Sequence, residues 1–226
     1  MIEKIQTKVL ISVTNEHWIH KTVVERLFRL MRDTRYKLKL IMPSHKPYEN
    51  NLHHIVNDVL KGGYDFWLNI DSDNPPEKNP LDLIELDKDV IGMPTPVAHF
   101  DGKYTGDFPV IWSAFDYHPE HDAYKPHHTM GGLRKVDVVG TGCVLFARRV
   151  FEHPEMQKGC FTRKLNKDGT VDRGNDFSFC ERARDSGFEI YAHYDYFCGH
   201  FSELEMNEMV MHFRQFFENK PEMEKV

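Results

Sequence analysis

The amino-acid sequence predicts an α/β protein, a central sheet with flanking helices. Three observations carry this. Short β-branched runs alternate with segments whose apolar residues recur at helical spacing; glycine or proline clusters punctuate the changes; and the rhythm holds from residue 8 to about residue 96.

Lys8-Val9-Leu10-Ile11-Ser12-Val13 reads as the first strand. Val23, Val24, Leu27, Leu30 and Met31 then mark a helical face, and residues 36–42 return to strand, which makes a βαβ unit and sets the strands parallel. A second helix carries Leu52, Ile55, Val56, Val59 and Leu60 on one face and stops at Gly62-Gly63. The next strand, Tyr64-Asp65-Phe66-Trp67-Leu68-Asn69-Ile70, ends in Asp71-Ser72-Asp73; after Pro75-Pro76 a short helix through Leu81, Leu83, Ile84 and Leu86 feeds a strand at 89–93.

Between residues 97 and 133 the periodicity disappears, which predicts a long irregular segment of the kind that binds substrates. Regularity resumes with a strand at 135–139, the turn Gly140-Thr141-Gly142 and a strand at 143–147. A polar loop at 166–174 leads to a helix that starts near Asn175-Asp176, with Asn175 as the expected N-cap. Residues 188–194 read as the last strand, and Leu204, Met209, Val210, Phe213, Phe216 and Phe217 form the stripe of a C-terminal helix. No internal repeat interrupts this order.

A length of 226 residues suits one domain with a core that needs no disulfide staples. Lys and Arg total 29 against 35 Asp and Glu, and the net charge of -6 argues against a protein that coats nucleic acid duplexes. Four cysteines without a Cys-x-x-Cys pair, and no secretory apolar segment after Met1, predict a reducing, cytoplasmic setting. No run approaches the roughly 18 to 20 apolar residues of a membrane span, so no integral membrane segment is expected.

Asp71-Ser72-Asp73 places two carboxylates at the end of a buried strand, where open α/β sheets form their ligand crevice. An Asp-x-Asp pair there can hold a divalent cation against phosphate oxygens. The same residues, with Asn74 and Pro75, also compose a plain polar turn. Asp176 begins a helix, where free N–H groups stabilise its anion. Gly140-Thr141-Gly142 allows close backbone approach, either to a ligand or between two strands. Thr14, Asn15 and Glu16 follow the first strand, where polar side chains can read a nucleobase or cap the next helix.

The order of the βαβ opening, Asn69-Ile70-Asp71-Ser72-Asp73, Val139-Gly140-Thr141-Gly142-Cys143, Asn175 to Ala183 and Gly199-His200 resembles glycosyltransferases of the GT-A fold, close to the family 2 group. The resemblance covers most of the chain. It implies a single Rossmann-like GT-A domain over 1–226 with a mixed, mainly parallel sheet: 1–96 as the nucleotide-sugar half, and 97–226 as the acceptor half with the C-terminal helix. It implies a metal-dependent transfer of sugar from a nucleoside-diphosphate sugar, UDP by default, to an acceptor hydroxyl.

In that reading Asp73 is the direct ligand of Mn²⁺ or Mg²⁺, Asp71 contacts the donor ribose or reaches the metal through water, and His200 is a further ligand. Ser72, Lys46 and Asn51 join Thr14, Asn15 and Glu16 on the nucleotide, and Gly140, Thr141 and Gly142 line the acceptor or sugar pocket. Asp176 is the general base of an inverting reaction or an acceptor-orienting residue of a retaining one; relatives often carry Glu-Asp where this chain has Asn175-Asp176. A lone His200 can also be structural, and Asp176 can be a simple first-turn acid. Trp112, Tyr117, Tyr124, His127 and His128 offer an acceptor platform or anchor their loop. The acceptor stays open among a glycan, a lipid-linked sugar, a protein and a modified nucleic-acid base. A nucleotidyltransferase acting on a sugar phosphate and a non-catalytic carbohydrate-binding module are the other classes; the first would normally carry a Gly-rich basic loop after strand one, which residues 12–20 lack.

Overall fold

The computed structural model describes residues 6–14, 18–98, 110–127, 129, 131–202, 210 and 214. Strand β1 (Lys8–Thr14), helix α1 (Lys21–Leu30), β2 (Lys37–Ile41), α2 (Tyr48–Gly62) and β3 (Phe66–Asp71) follow one another, then a 3-10 segment Pro80–Leu86 and β4 (Val90–Gly92). Strands β5 (Pro96–Ala98), β6 (Val110–Trp112), β7 (Ala114–His118), β8 (Ala123–Pro126), β9 (Leu133–Lys135) and β10 (Val138–Val139) come next. The described elements close with β11 (Cys143–Ala147), α3 (Arg148–Glu152), β12 (Lys164–Leu165), β13 (Val171–Arg173), α4 (Asn175–Asp185) and β14 (Ile190–His193).

The main sheet has seven strands in the order β2-β1-β3-β11-β4-β14-β9. β2, β1 and β3 run parallel; β11 opposes both β3 and β4; β14 runs with β4, and β9 opposes β14. The sheet is thus mixed, with β11 and β9 alone pointing against the rest.

Strand parity divides the core. Leu10, Trp67 and Phe146 face one side, where they meet Leu52, Ile55 and Val59 of α2 together with Phe151, Phe161 and Phe179. Val9, Ile11, Val13, Leu68, Ile70 and Leu145 face the other side, against Val23, Leu27 and Leu30 of α1 and Leu81 and Ile84. The i, i+4, i+7 spacing of the α1 residues and the near-continuous apolar runs of β1 and β3 follow from burial of the sheet on both faces. Phe161 and Phe179 stack with ring centroids 4.5 Å apart. Helix α2 ends at Gly63, whose φ of 60° is left-handed, the conformation its sequence position called for.

Several sequence expectations are corrected. Residues 110–135 hold short antiparallel strands: β7 pairs with β8 and β10, and β5 with β6, while β9 joins the main sheet. β6, β8 and β9 are too short and too exposed to display a period, and β10 has only two residues. The expected strand at 135–139 breaks between β9 and β10, which belong to different sheets. The helix through Leu81 is a 3-10 segment capped by Asn79, whose side chain accepts from the Leu81 N–H. Asn175 is the first residue of α4 and Gly174 occupies the cap without a side-chain bond. The reason is local: Asp176 Oδ1 accepts the Phe177 N–H at 2.9 Å, and a Cβ on Gly174 would stand 2.8 Å from that oxygen. The C-terminal stripe at 204, 209, 213, 216 and 217 lies outside the described residues. Among the described residues no helix is long and apolar enough to cross a membrane.

Candidate functional site

A buried polar chain runs through the sheet to the carboxyl ends of β1 and β3. The Trp67 indole N–H donates to Ser12 Oγ at 2.7 Å, and that hydroxyl donates to Asn69 Oδ1 at 2.8 Å. Asn69 Nδ2 in turn donates to the Thr141 carbonyl at 2.8 Å and lies 3.3 Å from Asp71 Oδ1. A buried asparagine in a strand must fill its hydrogen bonds, and these do so while tying the Gly140-Thr141-Gly142 turn to β3. The Asp71 N–H adds a bond to the Gly142 carbonyl at 2.7 Å.

Asp71 ends β3 opposite Thr14, which ends β1. Its Oδ1 accepts from the Thr14 hydroxyl and from the Tyr48 hydroxyl, the latter at 3.0 Å. Burial pushes the Asp71 carboxyl up to about 6, against the hydrogen bonds from Thr14 and Tyr48 that favour its anion. Burial also raises the Tyr48 phenol well above its ordinary value, so Tyr48 stays a donor. Asp71 thus braces the ends of β1, β3 and α2.

Asp73 has a different partner. His200 Nε2 stands 3.6 Å from Asp73 Oδ2, with both side chains partly exposed. His200 Nδ1 is 2.8 Å from the Pro96 carbonyl, which can only accept, so Nδ1 carries a proton and donates it, while Nε2 is the ring nitrogen on the carboxylate side. This outer hydrogen bond is the one that fixes a metal-binding imidazole. Backbone bonds from Phe201 N–H to the Asp73 carbonyl at 3.0 Å and from Gly199 N–H to the Pro75 carbonyl at 2.9 Å clip the two segments together. Asp73 and His200 fit a divalent cation as one carboxylate and one imidazole, with remaining positions for ligand oxygens and water. The expected three-residue set does not converge: among the described residues no group of three Asp, Glu, His or Cys could hold one metal ion. Of the Asp71 carboxylate, Oδ1 is engaged by Thr14, Tyr48 and Asn69. Of the two loop histidines, His127 belongs to no such group and His128 lies outside the described residues.

The other expected residues separate. Thr14 belongs to the Asp71 bracket, while Asn15 and Glu16 lie outside the described residues. The Ser72 carbonyl accepts the His20 N–H at 2.8 Å at the start of α1. Asn51 is buried: its Oδ1 accepts the His45 N–H at 3.1 Å and its Nδ2 donates to the Pro43 carbonyl at 2.9 Å, so it shapes the loop after β2. Lys46 lies in that loop, its carbonyl accepting from Asn50 Nδ2 at 3.1 Å. A Cβ on Gly142 would stand 2.5 Å from Asn74 Oδ1, and one on Gly140 would stand 3.0 Å from Ser113 Cβ. Packing against Asn74 therefore calls for glycine at 142, and the space at 140 is tight.

Asp176 lies in the first turn of α4, and burial raises its carboxyl above the ordinary range. Only Oδ1 has a partner among the described residues, which leaves Oδ2 as an acceptor. Asn175 Nδ2 and Ser178 Oγ in the same turn are buried without hydrogen-bond partners among the described residues. Tyr124 and Tyr117 act as anchors: Tyr124 packs edge-on against Phe177 at 5.0 Å and donates to Glu181 at 2.8 Å, and Tyr117 donates to Asp122 at 3.0 Å. Trp112 packs against Tyr194 and Phe197, and His127 Nδ1 lies 2.9 Å from the Tyr194 hydroxyl.

Tyr48, Asn69 and Pro96 were not foreseen as site residues. Asn69 carried a signal, a polar side chain inside an apolar strand; Tyr48 and the Pro96 carbonyl carried none, because only tertiary contact brings them to the rim.

No protein-family model matches the chain, and no curated protein sequence matches it. Solved structures do. A197 from STIV superposes with a TM-score of 0.57 at 13% identity over 87% of each chain. GalNAc-T7 with UDP, GalNAc and Mn2+ superposes with a TM-score of 0.51 at 10% identity over 88% of this chain. This chain spans 44% of the GalNAc-T7 chain, under half its length. At these identities the likeness is one of fold, and the fold is the mixed α/β, GT-A-like architecture described above.

Proposed function

We propose that the chain is a glycosyltransferase that moves sugar from a nucleoside-diphosphate sugar to an acceptor hydroxyl, with Mn²⁺ or Mg²⁺ held by Asp73 and His200. The observation that carries the reading is the facing of His200 Nε2 and Asp73 Oδ2 across 3.6 Å at the carboxyl rim of the sheet, with the imidazole already oriented by the Pro96 carbonyl. A cation bound there supplies charge to offset the departing diphosphate; at about 4 Å and an effective dielectric near 20, unit charges interact by about 4 kcal/mol. The imidazole favours Mn²⁺ over Mg²⁺. Support for UDP as the nucleotide is the sequence resemblance together with the fold shared with GalNAc-T7, whose structure contains UDP and Mn2+.

The chain's own residues divide the remaining work. Asp71, locked by Thr14 and Tyr48, positions the turn that carries Asp73. Asp176 Oδ2 takes the acceptor hydroxyl proton as the oxygen bonds to the anomeric carbon and the bond from that carbon to the diphosphate breaks. Burial moves its carboxyl toward the pH range where a base is effective. The unpaired Asn175 Nδ2 beside it offers a donor to an acceptor oxygen. In a retaining reaction the same pair would orient the acceptor only.

The test is an assay of UDP-sugars against a panel of acceptors with Mn²⁺, repeated in excess chelator and with Asp73→Ala. The expected product is a nucleoside diphosphate, lost in both controls. Undiminished turnover without metal contradicts the reading, and release of pyrophosphate reassigns the chain to nucleotidyl transfer.

A further inference from the structure

A second pocket, of about 210 Å³, opens between the later part of α1 and the segment that leaves the Asp73 turn. Arg26 and Arg29 line one wall, and Lys78 with Glu77 and Asn79 lines the other. Three cations therefore meet one carboxylate in a chain whose net charge is -6. Glu77 engages only part of this charge: its Oε2 lies 3.0 Å from Arg26 Nη2, while Arg26 Nε is buried with no hydrogen-bond partner among the described residues. Arg29 has no ion-pair partner among the described residues, and Lys78 Nζ lies 5.2 Å from the Tyr196 ring centroid with no carboxylate partner among them. Arg26 and Arg29 stand three residues apart on one helix, an arrangement in which like charges repel unless an anion joins them.

The walls are held in place. Asn79 donates to Asp33 at 2.9 Å and accepts from Leu81 N–H at 3.1 Å, and Pro76 pairs with Cys198 in an isolated β-bridge. Guanidinium groups match phosphate oxygens in paired, charge-assisted bonds. The volume lies below the roughly 300–1,000 Å³ of drug-sized sites, so a whole nucleotide is too large, whereas a phosphoryl group on a short carbon chain is not. Leu30 and Pro76 give that chain an apolar surface.

We propose that this pocket binds a small phosphate monoester, its phosphoryl group between Arg26, Arg29 and Lys78. The proposal is independent of the crevice chemistry. Calorimetry on the full chain, without metal or nucleotide, tests it with glycerol 3-phosphate and with inorganic phosphate. Saturable binding of one glycerol 3-phosphate per chain is expected, tighter than that of inorganic phosphate and weakened about tenfold or more by Arg29→Gln or Lys78→Gln. Both side chains are exposed, so these variants keep the fold, checked by circular dichroism. Asp73→Ala should bind as the unmodified chain does. The proposal is overturned by the absence of saturable binding, by unchanged affinity in both cation variants, by inorganic phosphate binding as well as the ester, or by loss of binding in Asp73→Ala.

Discussion

Asn74 Nδ2 donates to the Gly199 carbonyl at 3.2 Å, joining positions 125 residues apart, while its Oδ1 occupies the space where a Cβ of residue 142 would stand. One side chain thus couples the three segments that carry the candidate site: the Asp71-Ser72-Asp73 turn, the Gly140-Thr141-Gly142 turn and the segment that leads into His200. The facing of Asp73 and His200 depends on this packing as well as on their own bonds.

Gly142→Ala should therefore destabilise the protein by about 1–3 kcal/mol, because the new methyl overpacks against a fixed amide. Urea unfolding measures it. In an Asn74→Ala background the same substitution should cost clearly less, since the clashing oxygen is gone. Equal costs in both backgrounds would locate the strain elsewhere.

His200→Ala should weaken Mn²⁺ binding in the presence of UDP by about 10–100-fold or more, and Asp73→Ala at least as much. Both side chains sit at the rim, so unfolding free energies should stay within about 0.5 kcal/mol of the parent. Calorimetric titration with Mn²⁺ reads the first effect. Parent-like affinity in both variants would remove the pair from any metal site.

Asp71 separates from Asp73 by stability. Asp71→Ala leaves the Thr14 and Tyr48 hydroxyls without their acceptor and should cost about 1–3 kcal/mol per stranded donor at most, whereas Asp71→Asn keeps an acceptor oxygen and should cost less. Chemical denaturation at neutral pH distinguishes them. An alanine variant as stable as the parent would show that the bracket carries no weight.

Legibility followed burial and length. Strands β1 and β3 were readable because five or more consecutive residues of each are buried or half-buried, and α1 and α2 because one face of each meets the sheet. The strands between residues 110 and 135 were not, since β6 and β9 have three residues each and half-exposed side chains obscure alternation. The two aspartates were visible as polar residues closing an apolar run. Their different partners were not, because Asp71 is claimed by Thr14 and by Tyr48, 23 residues away, and His200 is aimed by a backbone carbonyl that has no sequence signature.

Acid should expose a second electrostatic element. Asp33 accepts from the Arg35 guanidinium and from Asn79, and the Arg35 bond chiefly holds its carboxyl well below the usual carboxylate range. A depressed folded-state pKa stabilises above the unfolded value, about 3.9, and that stability fades as pH falls through the folded value. Asp33→Asn should thus cost about 1–2 kcal/mol at pH 7 and progressively less below about pH 4. Urea midpoints at both pH values check this. A cost independent of pH would assign the effect to lost shape rather than charge.

Asp176→Asn tests the base directly. The substitution keeps the size of the side chain and an oxygen for the Phe177 N–H, so α4 should start as before and UDP affinity should not change. What it removes is the capacity of Oδ2 to take a proton, and positioned general bases contribute about 10²–10⁴-fold. Transfer should fall by that factor at saturating donor. Burial raises the Asp176 carboxyl, so the parent's rate should rise with pH through a value above the ordinary carboxylate range, and this limb should vanish in the variant. Asn175→Ala, which removes an unpaired buried donor, should instead raise the acceptor KM with a smaller change in kcat. Full transfer activity in Asp176→Asn would retire the carboxylate as base and leave it only a first-turn acid facing the helix N–H groups.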